Sequence, residues 1–254
     1  MSIRFASLGS GSRGNATLVE WESGTLMIDC GFGVKEAAHR LERLSKLPES
    51  ISAILVTHEH SDHIKGVAAF SRRYDVPVYM THGTYLSRDF GELPGLQLIK
   101  SYAPFEISGL QITPVAVPHD AQEPAQFVFE YRGKRLGILT DLGSITAHVE
   151  SQFQNLDAMV LEANHDPFML VSGSYPPSLK QRVGGAWGHL SNQQAAGFLQ
   201  RINCQRLQHL VVAHMSQQNN RLDLAQAVFA PVVTDIRHIT YACQDQGFDW
   251  LTVN

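Results

Sequence analysis

Thr57-His58-Glu59-His60-Ser61-Asp62-His63 is the stretch on which the reading of this chain turns. Three histidines and an aspartate fall between positions 58 and 63, directly after Ile51-Ser52-Ala53-Ile54-Leu55-Val56. That short apolar run, rich in β-branched residues, predicts a buried strand. Ile64, Val67, Ala68 and Phe70 follow at near-helical spacing and predict a helix from Ile64 to Tyr74. The cluster therefore sits on a strand-to-helix turn, which can aim neighbouring side chains at one point as a strand cannot. Imidazole and carboxylate are the ligands favoured by Zn²⁺ and by harder ions such as Mn²⁺ or Fe²⁺. His58 and His60 can grip one ion, and Asp62 with His63 a second. Two ions roughly 3.5–4 Å apart can activate water and clamp a phosphoryl or carbonyl group.

Outward from this turn the pattern alternates. Towards the N-terminus, Ile3–Leu8, Ala16–Trp21 and Thr25–Asp29 read as strands, and Val34–Leu44 as an amphipathic helix. Between the first two strands lies Gly9-Ser10-Gly11-Ser12-Arg13-Gly14-Asn15. Its glycines would let backbone N–H groups approach a phosphate, with Ser10, Ser12 and Arg13 adding donors. A plain flexible hairpin loop reads equally well.

Downstream, Leu110–Val117 is an expected strand ending in Pro118-His119-Asp120. The hairpin Gln126–Tyr131 and Lys134–Leu139 leads into Thr140-Asp141-Leu142-Gly143, where Asp141 could cap a helix from Ser144 to Phe153. The strand Asp157–Leu161 ends in Glu162-Ala163-Asn164-His165-Asp166. Glu162 and His165 become candidates for orienting or substrate contacts, because ligands of layered α/β folds gather at strand ends. Residues 167–188 show no regular pattern and read as a lip over the site or a long connection. Ser191 or Asn192 caps a helix from Gln193 to Arg201. Leu207–Ala213 is a last strong strand, ending in His214-Met215-Ser216-Gln217-Gln218-Asn219-Asn220. Helix Leu222–Phe229 and strands Ile236–Tyr241 and Phe248–Val253 close the chain.

Composition limits the function classes. With 254 residues, 44% of them hydrophobic, the chain can bury a sizeable core. A net charge of −4 gives no global field that would attract nucleic acid, so such binding would need local patches. Cys30, Cys204 and Cys243 show neither zinc-knuckle nor disulfide spacing. Reduced thiols and the lack of an apolar leader or membrane-length stretch fit a cytoplasmic protein.

The His-x-His-x-Asp-His pattern resembles the signature of the metallo-β-lactamase superfamily. The resemblance implies an α/β fold, the αββα sandwich, with the metal site at the seam between two sheets and residues 1–254 forming one domain. It implies that His58, His60 and His119 hold one metal and Asp62, His63 and His214 the other, with Asp141 bridging. Zn²⁺ is the expected ion, with Mn²⁺ or Fe²⁺ alternatives. Asp29, before Cys30-Gly31, would orient the His-rich loop rather than bind metal. In tRNase Z-like members a histidine shortly before the last ligand donates a proton, which makes His189 the matching residue here; Asp62 is counted with it as catalytic.

The 9–15 loop, the Glu162–Asp166 segment, Gly188-His189-Leu190-Ser191-Asn192 and the Asn219-Asn220 pair resemble the YycJ/WalJ group, regarded as metal-dependent exonucleases acting on DNA from the 5′ end. Asn15 and Asn219 thereby join the candidates for orienting or substrate contacts. Arg13, Arg72, Arg73, Lys180 and Arg182 would supply local positive charge for nucleic acid. The low net basicity favours the alternative, a small-molecule or cyclic phosphodiesterase, or a thioester or lactone hydrolase, since the metal pair alone does not name a substrate.

Overall fold

The structure, a computed structural model, describes residues 2–233 and 236–254. Strands β1 (Arg4–Gly9), β2 (Ala16–Trp21), β3 (Gly24–Ile28), β4 (Ala53–Leu55), β5 (Val78–Thr81) and β6 (Gln97–Ile99) come first. Then follow β7 (Phe105–Ile107), β8 (Leu110–Ala116), β9 (Ala125–Tyr131), β10 (Lys134–Leu139), β11 (Ala158–Glu162), β12 (His209–Ala213) and β13 (His238–Tyr241), and β14 (Phe248–Thr252) is last. One sheet has the order β14-β1-β2-β3-β4-β5-β6 and the other β13-β12-β11-β10-β9-β8-β7. In each, antiparallel hairpin strands hand over to parallel ones: β3, β4, β5 and β6 pair in parallel, as do β10, β11, β12 and β13. The last strand leaves the second half and pairs antiparallel with β1.

The two sheets face each other across a buried apolar layer. Phe5, Val19, Leu26 and Leu55 of the first sheet meet Ile112, Phe127, Phe129 and Val160 of the second. Each of these large side chains contributes roughly 1.5–3 kcal/mol by leaving water. Helices cover the outer faces. Helices α1 (Val34–Arg43), α2 (Ser61–Ile64) and α3 (Val67–Tyr74) pack on the first sheet through Ala37, Leu41, Ile64, Val67 and Phe70, and α4 (His82–Leu86) follows β5. Helix α5 (Ala147–Gln152) covers the second sheet, together with α8 (Asn192–Leu199) and α9 (Leu222–Phe229); between them lie α6 (Pro167–Ser172) and α7 (Pro177–Val183). This is the αββα sandwich of the metallo-β-lactamase type.

Every strand expected from the sequence is present within two residues at either end. The differences have local causes. The helix expected from Ile64 to Tyr74 is two helices, because Gly66 breaks it: its N–H donates to the Cys30 carbonyl (2.8 Å), and a Cβ there would lie 2.0 Å from the Phe32 carbonyl oxygen. The helix expected from Ser144 starts at Ala147, with the Thr146 side chain accepting from the Val149 N–H, so Asp141 is not its cap. Ser191, not Asn192, caps α8, in a reciprocal capping box with Gln194. Residues 167–188 are not irregular but carry two short helices, each opened by a proline at its first turn. The three-residue edge strands β6 and β7 carry too little alternation to be read from sequence.

Candidate metal centre

Strand ends build the site. His58, His60, Asp62 and His63 follow β4, His119 follows β8, Asp141 follows β10 and His214 follows β12, so both sheets deliver side chains to one edge of the sandwich. The ligand atoms of His58, His60 and His119 lie within 4.8 Å of one another. The same holds for Asp62, His63 and His214, for His58, His63 and Asp141, and for Asp141, His189 and His214. Asp141 thus belongs to groupings on both sides, as a bridging ligand would.

The backbone is bent to achieve this. Asp29, Asp141 and His214 adopt left-handed conformations with φ of 61°, 54° and 52°. Such strain costs a non-glycine residue on the order of 1–3 kcal/mol and gathers at functional sites. The His-rich turn is also gripped from behind. Asn15 N–H donates to the Asp62 carbonyl (2.8 Å) and Cys30 N–H to the His63 carbonyl (2.8 Å). Gly31 lies so close that a Cβ would come within 1.7 Å of the Asp62 carbonyl oxygen.

Hydrogen bonds fix which ring nitrogen faces inward. The Asp29 carboxylate accepts from the Thr57 N–H and hydroxyl (2.8 Å each) and from His63 Nδ1 (2.7 Å), which turns His63 Nε2 towards Asp62 and Asp141. Thr57 Oγ1 stands 2.9 Å from His58 Nδ1 and leaves His58 Nε2 free. His119 Nδ1 donates to the Gly188 carbonyl (3.0 Å), so its Nε2 points at His60 Nδ1, 3.2 Å away. These partners set the tautomers as outer partners of metal-binding histidines do. Thr57 and Gly188 were not anticipated: a hydroxyl beside its histidine is a faint signal, and a backbone carbonyl leaves none in the sequence.

Buried polar atoms without hydrogen-bond partners test whether metal fits. Of nine such atoms among the described residues, three, His58 Nε2, Asp141 Oδ2 and His214 Nε2, lie within the cluster. Leaving each one unpaired costs roughly 1–3 kcal/mol. A divalent cation would satisfy all three, and an imidazole–carboxylate set suits it. The residues present therefore fit metal ions.

The charges are strongly coupled. Burial, with the His63 cation nearby, pushes His58 well below the usual imidazole range. Burial would lower His63 too, but the Asp141 and Asp29 carboxylates outweigh it and hold it well above. His214 is likewise opposed by burial yet raised to about 10 by Asp141, Asp62 and Glu162. Burial alone would raise Asp62 and Asp141; their histidine neighbours hold both carboxyls far down.

The remaining candidates take varied places. Glu162 is fully buried, accepts from His189 Nδ1 (2.7 Å) and the Leu142 N–H (3.1 Å), and lies 3.5 Å from His214 Nδ1. Asn15 Nδ2 reaches Asp62 Oδ2 (3.2 Å) and His63 Nε2 (3.1 Å). The expected oxyanion role of the 9–15 loop does not match the structure: the N–H groups of Ser10, Gly11, Arg13, Gly14 and Asn15 are all consumed within the protein. Ser10 is buried and its hydroxyl accepts from the His214 N–H (2.8 Å), so it braces the His214 loop. Arg13 turns away to Asp245 (2.7 Å), and only Ser12 of the loop's donors lines the metal cavity. His165 is buried, with its carbonyl accepting from the Asn192 N–H (2.9 Å); Asn219 is buried with its backbone bonded to Ser216 and Asp166. Both brace loops behind the cluster. His82 is exposed at the start of α4, away from the cluster's groupings.

The cavity over the cluster has a volume of about 320 Å³. Tyr175, Leu179 and Arg182 of the 167–188 segment line it together with Ser12, Asp120 and His189, so that segment is a lip of the site. Arg182 is ion-paired with Asp120 at the rim.

A beta-lactamase superfamily domain matches residues 25–215. Exodeoxyribonuclease YycJ of Bacillus anthracis is 33% identical over 239 residues, covering 92% of this chain and 90% of its own. Exodeoxyribonuclease WalJ of Streptococcus pneumoniae is 33% identical, covering 89% of this chain and 86% of its own. Among solved structures, the metallo-beta-lactamase fold protein YhfI of Bacillus subtilis superposes with a TM-score of 0.76 at 15% identity, over 99% of this chain and 100% of that one. Sequence relationship, sheet order and strand-end cluster agree: the chain belongs to the metallo-β-lactamase superfamily and, within it, to the family that includes YycJ and WalJ.

Proposed function

We propose that this protein is a dinuclear metal hydrolase of phosphodiester bonds, acting on DNA as a 5′-to-3′ exonuclease, with residues 1–254 working as one domain. The observation that supports this most is the convergence of seven ligand-type side chains at one edge of the sandwich, three of them with buried, unpartnered atoms, in a chain 33% identical to exodeoxyribonucleases over 92% of its length. His58, His60 and His119 would hold one ion, Asp62, His63 and His214 the second, and Asp141 would lie between. When bound, the ions supply Lewis acidity that activates water and neutralises charge on the phosphoryl group, a task Zn²⁺, Mn²⁺ or Fe²⁺ can perform.

The protein's own residues do the rest. Asp29, Thr57 and the Gly188 carbonyl keep the histidines in the tautomer that presents a bare nitrogen. His189 lines the cavity with Nδ1–H tied to Glu162, so Nε2 is the atom that meets substrate. Burial opposes its protonation, but Glu162 and Asp141 outweigh burial and raise it above the ordinary imidazole range. A histidine so held binds a proton more tightly than a free imidazole and would deliver it to the departing 3′ oxygen. The helices of residues 167–188 shield the reacting centre on one side.

The test is end-labelled DNA incubated with the protein and added Mn²⁺ or Zn²⁺, beside Asp141→Ala. Stepwise loss of nucleotides from the 5′ end, absent in the variant, is expected. Hydrolysis of a small chromogenic phosphodiester with intact DNA would instead establish the small-molecule phosphodiesterase reading.

A further inference from the structure

A second cavity, of about 720 Å³, lies across the 9–15 loop from the metal centre. Arg13, Lys35, Arg40, Lys65 and Arg73 line it against only Glu36 and Asp245, a local charge of +3 on a chain of net −4. Two of the cations are used internally. Arg13 pairs with Asp245, and Arg40 pairs with Glu36 while donating to the Leu8 and Asp245 carbonyls. The side chains of Lys35, Lys65 and Arg73 are exposed and make no ion pair or hydrogen bond among the described residues, Arg73 lying 5.4 Å over the Tyr74 ring. Like charges gathered without partners repel one another, and a polyanion relieves that cost.

The other basic residues singled out in the sequence are occupied. Arg72 donates to the Phe90 and Glu92 carbonyls, Lys180 to the Val171 carbonyl, and Arg182 pairs with Asp120. Arg182, which lines the metal cavity, is thus neutralised by Asp120, whereas the groove carries three cations with no acidic partner.

Groove and metal cavity share a wall. At the exposed tip of the 9–15 loop, Ser12 lines the metal cavity and its neighbour Arg13 the groove. On the α2 turn, Asp62 faces the metal cavity and Lys65 the groove. We propose that this groove is a phosphate-binding track that holds the sugar–phosphate backbone of a nucleic acid whose end occupies the metal centre. The inference rests on the nucleic-acid reading of the site. It makes Lys35, Lys65 and Arg73 contacts to backbone phosphate, which carry affinity without sequence preference.

The experiment measures binding of a single-stranded oligonucleotide to the full chain across a salt series, by anisotropy without added metal and by KM with it. Wild type is compared with Lys35→Gln/Arg73→Gln and with the triple variant adding Lys65→Gln. At roughly 0.7 per single-strand phosphate contact, the slope of log K against log salt shrinks by about 1.4 in the double and about 2.1 in the triple variant. Hydrolysis of a small chromogenic phosphodiester reports whether the metal centre is intact. Should the triple variant melt early, the exposed Lys35→Gln alone carries the test, with a slope change of about 0.7. Unchanged slope and KM in variants of an enzyme that degrades DNA would overturn the groove assignment and leave the exonuclease reading standing. A wild-type protein that neither binds nor degrades DNA would overturn both.

Discussion

His189 Nδ1 lies 2.7 Å from Glu162 Oε1, and the same carboxylate accepts from the Leu142 N–H directly after Asp141. One buried carboxylate therefore ties the expected proton donor to the loop of the expected bridging ligand. Replacing His189 by alanine should lower kcat on DNA by about 10²–10⁴-fold. The loss should nearly vanish on a p-nitrophenyl phosphodiester, whose leaving group needs no proton. In Glu162→Gln the carboxylate that raises His189 is gone, so the basic limb of the kcat–pH profile should move to lower pH. Equal losses on both substrates would argue that His189 serves only to hold the site together.

Asp29 touches no candidate metal position, yet it orders Thr57 and His63 together. Asp29→Asn keeps the shape but weakens the acceptor that fixes the His63 tautomer. Metal affinity, read by competition with a chromogenic chelator, should fall by about 10–100-fold while the protein remains folded. Undiminished affinity would mean that the ring orientation is set by packing alone.

Metal removal should make stability depend on pH above neutrality. The pKa values of His63 and His214 are raised in the folded chain, the latter to about 10, whereas unfolded histidine titrates near about 6.5. The stabilisation they give is therefore complete below about pH 6.5 and is lost as pH rises through their folded values. Asp62 and Asp141 are depressed, so their contribution is present above the unfolded carboxyl range of about 4 and lost on acidification. Urea melts of the chelator-treated protein should show midpoints falling between pH 7 and pH 10. The metal-loaded protein should lack that decline, and metal uptake at pH 7 in weak buffer should release protons.

The thiols should separate cleanly. Burial raises Cys30 to about 12, and its Sγ faces the Phe32 carbonyl. Cys204 is half-buried and raised by burial, whereas Cys243 is exposed. A disulfide reagent at pH 8 should modify Cys243 within minutes and Cys30 only after denaturation. Rapid modification of Cys30 in the native protein would mean that the strand-end layer beneath the metal loop opens readily.

Much of this protein is legible in local sequence. The strand periodicity and the Thr57–His63 turn need only neighbouring residues, because side-chain alternation and ligand chemistry are short-range properties. The same logic placed His119, Asp141, Glu162 and His214 at strand ends, where a layered α/β fold exposes them together. Tertiary structure alone decided the rest. It bent Asp29, Asp141 and His214 into left-handed backbone, which no residue type here announces, and brought β14 beside β1 across nearly the whole chain. It also divided one glycine-rich loop among three tasks: Ser10 to the His214 backbone, Asn15 to Asp62 and His63, Arg13 to a separate groove. The physical reason is that each of these outcomes depends on a partner distant in sequence, and a donor's role is set by whichever acceptor the packed sheets bring within hydrogen-bond reach.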